Sequence, residues 1–384
     1  MKKKYLFIWV AVLAAIACGL LVRESDYLWK VQELNLFLPT TLFFKQQMVV
    51  PAGLLTYVGT WFTQFLYYPW MGVLLLCAWW LLLMLLMKRA FCVPDRWAPL
   101  LIIPVALLLV TNVDLGYWLF MLKLRGHFFL TTLATTVVVS LLWVFRSLGN
   151  EKGKMKNEEW LRAVWMFVIG VVGYPLLGIY GLAATLLMAV WSWWLMPRGR
   201  AAIYTMVAVL LTVAMPLLCY RYVYHETNLA NIYYAGLPLF FVTEEYAQYY
   251  IPYWLLALFM VVMVCLVSRK HTEISVVTKG KNEKGKGKQE KDNEKRGKWL
   301  PWAGQAVLMA LVVWGVIHFW YKDENFRHEI RMQHLIEQTD WEGVMQEAAT
   351  QKGEPTRSIV LMRNLALSRI GRQGDLMYKY RNGA

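Results

Sequence analysis

Long apolar runs separated by short polar stretches divide the chain from one end to the other. An apolar run of about 18 residues is long enough to cross a bilayer as a helix. About nine runs approach or reach this length, and they predict an all-α polytopic membrane bundle of about nine transmembrane helices. The runs cover residues 5–22, 69–87, 98–113, 127–145, 160–176, 179–196, 202–220, 251–267 and 299–320.

Two parts of this assignment stay open in the sequence. The short run 98–113 ends in polar residues, at Asn112 and Asp114. The stretch 160–196 divides at more than one point around Pro175, because a proline either kinks a helix or ends it. The span count therefore depends on these two segments.

The first run follows the basic start MKKK, as the apolar core of a signal peptide would. It continues as far as Val22, however, and the core of a signal peptide is usually shorter. An uncleaved first helix is therefore predicted.

The orientation follows from the basic residues of the short loops, because Lys and Arg concentrate on the cytoplasmic side. With the N-terminus in the cytoplasm, most basic residues fall in cytoplasmic loops. The predicted outer loops hold Arg23, Lys30, Lys45, Lys123, Arg125 and Arg221. This asymmetry predicts a multipass protein of the inner (cytoplasmic) membrane whose residues 321–384 lie outside.

Composition agrees with the membrane class, since 58% of the residues are hydrophobic and 17% are charged. Soluble domains are nearer half apolar and a quarter charged. The net charge of +15 could indicate nucleic acid, but a third of it lies in the low-complexity basic segment 279–298. Such a segment cannot bury a core and is typical of a linker. No nucleic-acid partner is therefore expected.

These patterns divide the chain into four parts. Residues 1–267 form the membrane bundle, 268–298 a basic cytoplasmic linker, 299–320 the last span and 321–384 an extracytoplasmic helical segment.

The residue types used by common cofactor sites are not arranged for that purpose. The five cysteines lie in or beside apolar runs, so no disulfide framework is indicated. The sequence has no Gly-rich phosphate loop, zinc-type cysteine spacing or HExxH motif. No metal and no cofactor are predicted, membrane lipid is the expected surrounding, and the question of enzymatic activity stays open.

The stretch 51–70, PAGLLTYVGTWFTQFLYYPW, predicts a helix in the plane of the membrane interface. Leu55 and Phe62 belong to its apolar face, whereas Thr56 and Thr60 lie mostly away from that face. Aromatic residues at its end fit the interfacial belt.

The stretch RESDYLWKVQELNLF, residues 23–37, places carboxylates directly after the first span. A first helix followed by a long outer loop with carboxylates and interfacial helices resembles the layout of C-type membrane glycosyltransferases, which use polyprenyl-phosphate sugars. The resemblance covers about the first 70 residues. It implies that Asp26 or Glu33 acts as the catalytic base, and that Arg125, Arg221 and His225 hold the lipid phosphate. The alternative is that these charges only mark the edge of the bilayer.

The C-terminal stretch 339–380 contains two helical patterns separated by the turn at 353–355. Trp341 early in the first helix, Ala366 inside the second and a glycine at its end resemble a tetratricopeptide-like unit. About three such repeats are normally needed to bury a core. The segment must therefore pack on the membrane domain, on a partner or on residues beyond this chain. Trp341 and Leu365 are the predicted partner-binding residues.

The segments ELNLFL, PAGLLTYVGTWFTQFLYYPWMG and NLALSRIGRQGDLMYKY together resemble an uncharacterised bacterial family of multipass membrane proteins. Members of that family join a polytopic N-terminal half to an extracytoplasmic, repeat-like C-terminal half. Two functional hypotheses follow. The first is a scaffold that binds an extracytoplasmic protein or peptide through the outer repeat, and the second is a polyprenyl-phosphate-dependent glycosyl or related group transferase.

Overall fold

A computed structural model describes residues 3–148, 155–224, 227–238, 247–280 and 300–381, and every regular element within these ranges is helical. The predicted all-α class is confirmed. The α-helices are α1 Lys3–Arg23, α2 Ser25–Glu33, α3 Thr41–Gln47, α4 Gly53–Thr63, α5 Pro69–Ala90, α6 Ile102–Val113, α7 His127–Ser147, α8 Met155–Leu177, α9 Ile179–Leu195, α10 Arg198–Tyr222, α11 Ile251–Gly280, α12 Leu300–Phe319, α13 Glu324–Glu337, α14 Trp341–Thr350, α15 Arg357–Ile370 and α16 Gln373–Leu376. Short 3-10 helices cover Gln64–Tyr67, Asp95–Leu101, Gly116–Met121, Leu229–Tyr234, Ala247–Tyr250 and Met377–Lys379.

Within the described ranges, seven helices are long and apolar enough to cross a membrane. The count becomes eight if Gly304–Phe319 and Glu324–Glu337, which bend by 65° at their junction, are taken as one broken span. Each of the nine predicted runs contains helix, but α9 is shorter than the others at 17 residues. Seven or eight helices of the described residues therefore meet the criteria of length and composition, α9 falls one residue short of them, and the span count is approximate. Residues 268–280 of the predicted linker belong to α11 and are helical, whereas its residues 281–298 lie outside the described residues.

The structure defines the helix boundaries in the two segments, 160–196 and 98–113, that the sequence left open. The proline at Pro175 lies inside α8, and the break comes at Gly178, whose φ is +61°. A Cβ atom at Gly178 would lie 2.2 Å from the carbonyl oxygen of Ala235, so a glycine is required there. The 3-10 helix Asp95–Leu101 leads directly into α6, and together they form one apolar segment.

The α4 helix packs through its threonine side as well as through the predicted apolar face, on which Leu55 is buried and Phe62 stacks on Phe129 of α7 at a centroid distance of 5.6 Å. Thr60 and Thr63 are fully buried, and their hydroxyls donate to the carbonyls of Thr56 and Gly59 at 2.9 and 2.7 Å. Hydroxyls satisfied within their own helix behave as small packing groups, which lets backbones approach closely. A Cβ at Gly59 would lie 2.9 Å from the carbonyl oxygen immediately before α7. The position of α4 in the interface plane stays a prediction.

The C-terminal unit, residues 324–381, is a compact group of the helices α13 to α16. Met332, Val344, Ile359 and Ala366 are buried at its centre. Asp340 and Thr356 cap α14 and α15 by accepting backbone hydrogen bonds, as short polar residues do at helix starts. The tetratricopeptide-like assignment of this unit stays a prediction.

Candidate functional site: the junction between α2 and the C-terminal unit

The stretch after the first span forms the surface on which the C-terminal unit is docked. Glu24 ends the connection from α1 to α2, and it is 6% exposed. Its Oε1 atom accepts hydrogen bonds from Nε1 of Trp320 at 2.7 Å and from Nε and Nη2 of Arg327 at 3.2 and 3.1 Å. Arg327 also donates to the carbonyl of Tyr321. A buried carboxylate thus joins the ends of the first and last apolar helices to α13.

A second polar contact lies two residues further along the chain, in the first turn of α2. Nδ1 of His334 is 2.7 Å from Oδ1 of Asp26. The His334 ring stacks on the indole of Trp29 with a centroid distance of 4.3 Å and an interplanar angle of 12°. Because Trp29 is itself buried, the imidazole is held between a carboxylate and a fixed aromatic face.

A cluster of aromatic side chains fills the space between these polar contacts and the bundle. Phe326 is 2% exposed and contacts the rings of Tyr27, Tyr117 and Tyr321 at centroid distances of 6.1, 4.9 and 5.3 Å. These edge-on and tilted arrangements are the favoured ones for aromatic pairs. The apolar part of the junction is therefore packed like a domain core.

A buried carboxylate on α13 completes the junction. Oε1 of Glu329 accepts a hydrogen bond from the Tyr117 hydroxyl at 2.9 Å and another from the Thr356 hydroxyl. Burial, together with the hydrogen bond to Glu329, raises the pKa of Tyr117 above its ordinary value. The phenol therefore stays a donor across the physiological range. We call Glu24, Asp26, Tyr117, Phe326 and their partners the docking junction.

A cleft of about 500 Å³ opens beside the docking junction, between the end of α1 and the helices α13 and α14. Ligand pockets usually have volumes of about 300–1,000 Å³. Its charged lining residues carry both signs. They are Arg23, Glu24, Asp26, Glu324, Arg327, Arg331, Glu347 and Lys352, with His328 as a further titratable group. Glu347 accepts from His328 at 2.6 Å and from Arg331 at 3.1 Å, which fixes the far wall.

The structure separates the residues of the predicted transferase site. Asp26 lines the cleft, whereas Glu33 is exposed and pairs with Lys30 at 2.6 Å. Arg125 and Arg221 are exposed and do not line the cleft. His225 lies outside the described residues.

The predicted partner-binding residues lie on the C-terminal unit, away from the cleft lining. Trp341 is half-buried, and the guanidinium of Arg369 lies 5.8 Å from the centre of its ring. Leu365 is 41% exposed on α15. Their binding role stays a prediction.

The docking residues of α13 were not predicted from the sequence. The repeat-like pattern begins at residue 339, whereas Phe326, Ile330 and His334 lie upstream. Their spacing of four places them along one side of a helix. That periodicity was the available signal, although it does not identify α2 as the surface on which they pack.

No group of three or more His, Cys, Asp or Glu side chains in the described part of the chain is arranged to hold a metal ion. The charged groups of the junction are instead occupied with each other. The cleft offers cationic hydrogen-bond donors and anionic acceptors where the membrane bundle meets the C-terminal unit.

The apolar helices and the docked helical unit define the class, because seven or eight helices of this length and composition fit a membrane-embedded protein. The chain belongs to the family described as "Family of unknown function (DUF6057)", whose model matches residues 2–384. The predicted membership of an uncharacterised family is thereby confirmed. No curated protein and no solved structure matches the chain.

Proposed function

We propose that the protein is a membrane-anchored scaffold whose C-terminal unit binds an acidic, amphipathic segment of an extracytoplasmic protein or peptide. The observation that supports this proposal is an exposed strip on α15, formed by Arg357, Leu361, Leu365 and Arg369. Leu361 is 70% exposed and Leu365 is 41% exposed, and both arginines are exposed. We call these four residues the α15 strip.

The two sides of α15 have different roles. Ile359, Ala366 and Leu367 point into the unit and are buried. The α15 strip follows the other side, because residues spaced by four lie on the same side of a helix. The two leucines form an apolar patch with an arginine at either end. An amphipathic peptide helix can bind such a patch through its own apolar face.

The charge of this region favours an acidic partner. Residues 357–381 contain six Arg or Lys side chains and one acidic side chain, Asp375. Complementary charge contributes mainly to association rate and specificity, while the apolar contacts contribute most of the affinity. A partner segment with leucine-like anchors and flanking Asp or Glu residues meets both requirements.

The docking junction gives this surface a fixed position on the bundle. Glu24, Asp26 and Phe326 hold α13, and α14 and α15 pack on α13. A bound partner would therefore be held at one end of the membrane protein. The distribution of basic residues supports an extracytoplasmic location of that end in the inner membrane.

Peptide binding to the full chain in nanodiscs of zwitterionic lipid tests the proposal. The probe is a fluorescent helical peptide with leucine on one face and glutamate on the other, compared by anisotropy with the same peptide carrying lysine in place of glutamate. We expect Leu361→Ala and Leu365→Ala each to raise the Kd of the acidic peptide about tenfold, as loss of roughly 1.4 kcal/mol of apolar contact requires. Arg357→Glu should weaken it as well.

Leu36→Ala is the matched control, because Leu36 is 59% exposed and lies outside the C-terminal unit. Equal affinity for the acidic and basic peptides would contradict the proposal. The same conclusion follows if the α15 variants bind like Leu36→Ala.

Labelling of single cysteines tests the location of the unit. Gly353→Cys and Gly199→Cys, in a background without the native cysteines, would be exposed to a membrane-impermeant thiol reagent in intact spheroplasts. We expect Gly353→Cys to react and Gly199→Cys, between two basic residues, to stay unlabelled. The reverse pattern would place the C-terminal unit in the cytoplasm.

A second candidate function is the polyprenyl-phosphate-dependent transferase, and one observation favours it. Asp26 faces the cleft with His334 on its carboxylate and with Arg23, Arg331 and Lys352 in the same lining. A carboxylate base beside cations is suitable for activating an acceptor next to a lipid phosphate.

The substitution Asp26→Asn distinguishes the two candidates, with Glu33→Gln as its control. Loss of a general base usually lowers a rate about 10²–10⁴-fold. A glycan-dependent envelope phenotype lost at normal protein level in Asp26→Asn would establish the transferase. Under the scaffold proposal, both variants are silent, since asparagine at position 26 keeps an oxygen acceptor for His334, and Leu365→Ala or Trp341→Ala causes the loss.

A further inference from the structure

A small polar site is enclosed where α6, α7 and α11 meet, separate from the cleft and from the α15 strip. Its cavity has a volume of about 10 Å³. That is about the space needed for the centre of one water molecule. Thr111, Asp114, His127 and Tyr253 line it together with apolar and proline side chains.

The hydrogen bonding of His127 determines which ring nitrogen carries the proton. His127 is 4% exposed, and its Nε2 atom lies 3.0 Å from the carbonyl oxygen of Thr111. A carbonyl oxygen only accepts, so Nε2 carries the hydrogen and the neutral ring presents an acceptor at Nδ1. This Nδ1 atom is buried and has no hydrogen-bond partner among the described residues.

A second buried polar group of the same cavity is the hydroxyl of Tyr253, which interacts with the side chains of Thr111 and Thr131. The Nδ1 acceptor of His127 is the group left unpaired, which costs about 1–3 kcal/mol in an apolar bundle. One water molecule in the cavity would give a donor to this atom.

We propose that Asp114 and His127 form a proton-binding site of the bundle, bridged by a single water molecule in this cavity. In the protonated site, the carboxyl group of Asp114 donates a hydrogen bond to the water, and the water donates one to Nδ1 of His127. When Asp114 titrates, its proton leaves to the solvent, and the imidazole stays neutral because burial disfavours an imidazolium. The site therefore holds one proton more below the midpoint than above it.

The surroundings of Asp114 place its titration in the physiological range. Asp114 follows the last residue of α6, and burial raises the pKa of its carboxyl to about 7. The titratable groups packed around it are His127 from α7, Tyr27 from α2, Tyr249 just before α11, Tyr253 in α11 and Tyr321 after α12. Phenols are neutral near pH 7, so none of them competes for the proton in this range.

The site is connected to the docking junction by its own residues. The hydroxyl of Tyr27 donates to the carbonyl of Asn112 at 2.8 Å, and Tyr27 also packs against Phe326. Tyr117, three residues after Asp114, binds Glu329 of the C-terminal unit. A change of charge at Asp114 would therefore occur beside the contacts that hold that unit.

Infrared spectroscopy of the full chain in nanodiscs tests the site by following protonated carboxyl groups as the pH changes. We expect one carboxyl to titrate with a midpoint near 7, and this signal to disappear in Asp114→Asn. Asp323→Asn is the control, since Asp323 is exposed at the start of α13 and asparagine keeps the helix cap. A near-neutral carboxyl signal that persists in Asp114→Asn would overturn the proposal.

Nitrogen NMR of histidine-labelled protein provides an independent measurement, with His127 assigned by loss of its signal in His127→Gln. We expect an Nε2-protonated ring whose Nδ1 resonance shifts between pH 5 and 8. A His127 resonance that is independent of pH in the wild-type chain would contradict the water bridge between His127 and Asp114. This measurement decides alone if Asp114→Asn does not assemble.

Discussion

Replacing Glu24 by glutamine tests whether the docking junction holds the C-terminal unit to the bundle. Glutamine keeps the shape of the side chain and one carbonyl oxygen, but it removes the negative charge. The guanidinium of Arg327 would then face a neutral amide in a place where the Glu24 side chain is 7% exposed. The substitution thus changes the charge of the contact with little change of volume.

The magnitude follows from the burial of the two partners. Removing one partner of a buried ion pair costs about 3–5 kcal/mol. The Arg327 side chain is 21% exposed and keeps its hydrogen bond to the Tyr321 carbonyl, so water and that carbonyl offset part of the loss. We expect about 2–3 kcal/mol, which increases the undocked population about 30- to 150-fold.

Hydrogen exchange of the full chain in nanodiscs measures this population through the amides of α13. Their protection should fall by the same 30- to 150-fold in Glu24→Gln, because these amides exchange when the unit opens. Glu337→Gln is the control, since Glu337 is an exposed residue of the same helix. A surface substitution of this kind usually changes stability by less than about 0.5 kcal/mol.

The double variant Glu24→Gln with Arg327→Met adds a further check. Replacing both partners of a buried pair by neutral groups is often close to neutral in stability. The double variant should therefore recover part of the lost protection. Protection within about threefold of the wild type in Glu24→Gln alone would refute the assigned role of the ion pair, since 2 kcal/mol requires about 30-fold.

Three further outcomes are expected. Gly126→Ala should lower the stability in detergent by more than about 2 kcal/mol, because φ is +67° and the new Cβ would lie 2.4 Å from the backbone nitrogen of Thr60. Gly199→Ala is the control, since a Cβ at Gly199 meets open space, and it should melt like the wild type. Residues 322–384 expressed alone should show weak helical circular dichroism and no cooperative melt, because Phe326 loses its cover; a sharp two-state transition would contradict this. The melting temperature should fall as the pH rises from about 4 to 7. In this range the native Asp114, whose pKa is about 7 against an ordinary 3.8, holds a proton that the unfolded chain has released. Asp114→Asn should flatten this dependence of the melting temperature on pH.

The helical class was predictable because long apolar runs impose helices whatever their neighbours are. The side on which each helix packs was less predictable. In α4, Leu55 and Phe62 indicated the packing side and both pack on the bundle, yet Thr60 and Thr63, predicted to lie mostly away from that side, are buried as well. Hydrophobicity does not distinguish lipid from protein as the neighbour of a membrane helix, and close approach favours small residues.

The docking junction was only half predictable for a related reason. The charges around Asp26 stood out in the sequence, and the need of the C-terminal unit for external cover followed from its length. Their pairing joins residues about 300 positions apart, Asp26 with His334 and Glu24 with Arg327. The periodicity of one segment cannot show which distant residues pair with each other. Glu24 also resembles any other charged residue at the end of a span.

The hydrogen bond from Trp320 to Glu24 spans 296 positions of the chain, which sets an order for biosynthesis. At about 5–20 residues per second, the ribosome needs roughly 15 to 60 s to deliver Trp320 after Glu24 has emerged. During that interval the early helices hold a carboxylate that is accessible to water and lipid headgroups. We expect nascent or shortened chains to be recognisable by this unpaired acid, so that a quality-control protease could distinguish them from finished molecules. Completion of the chain conceals it.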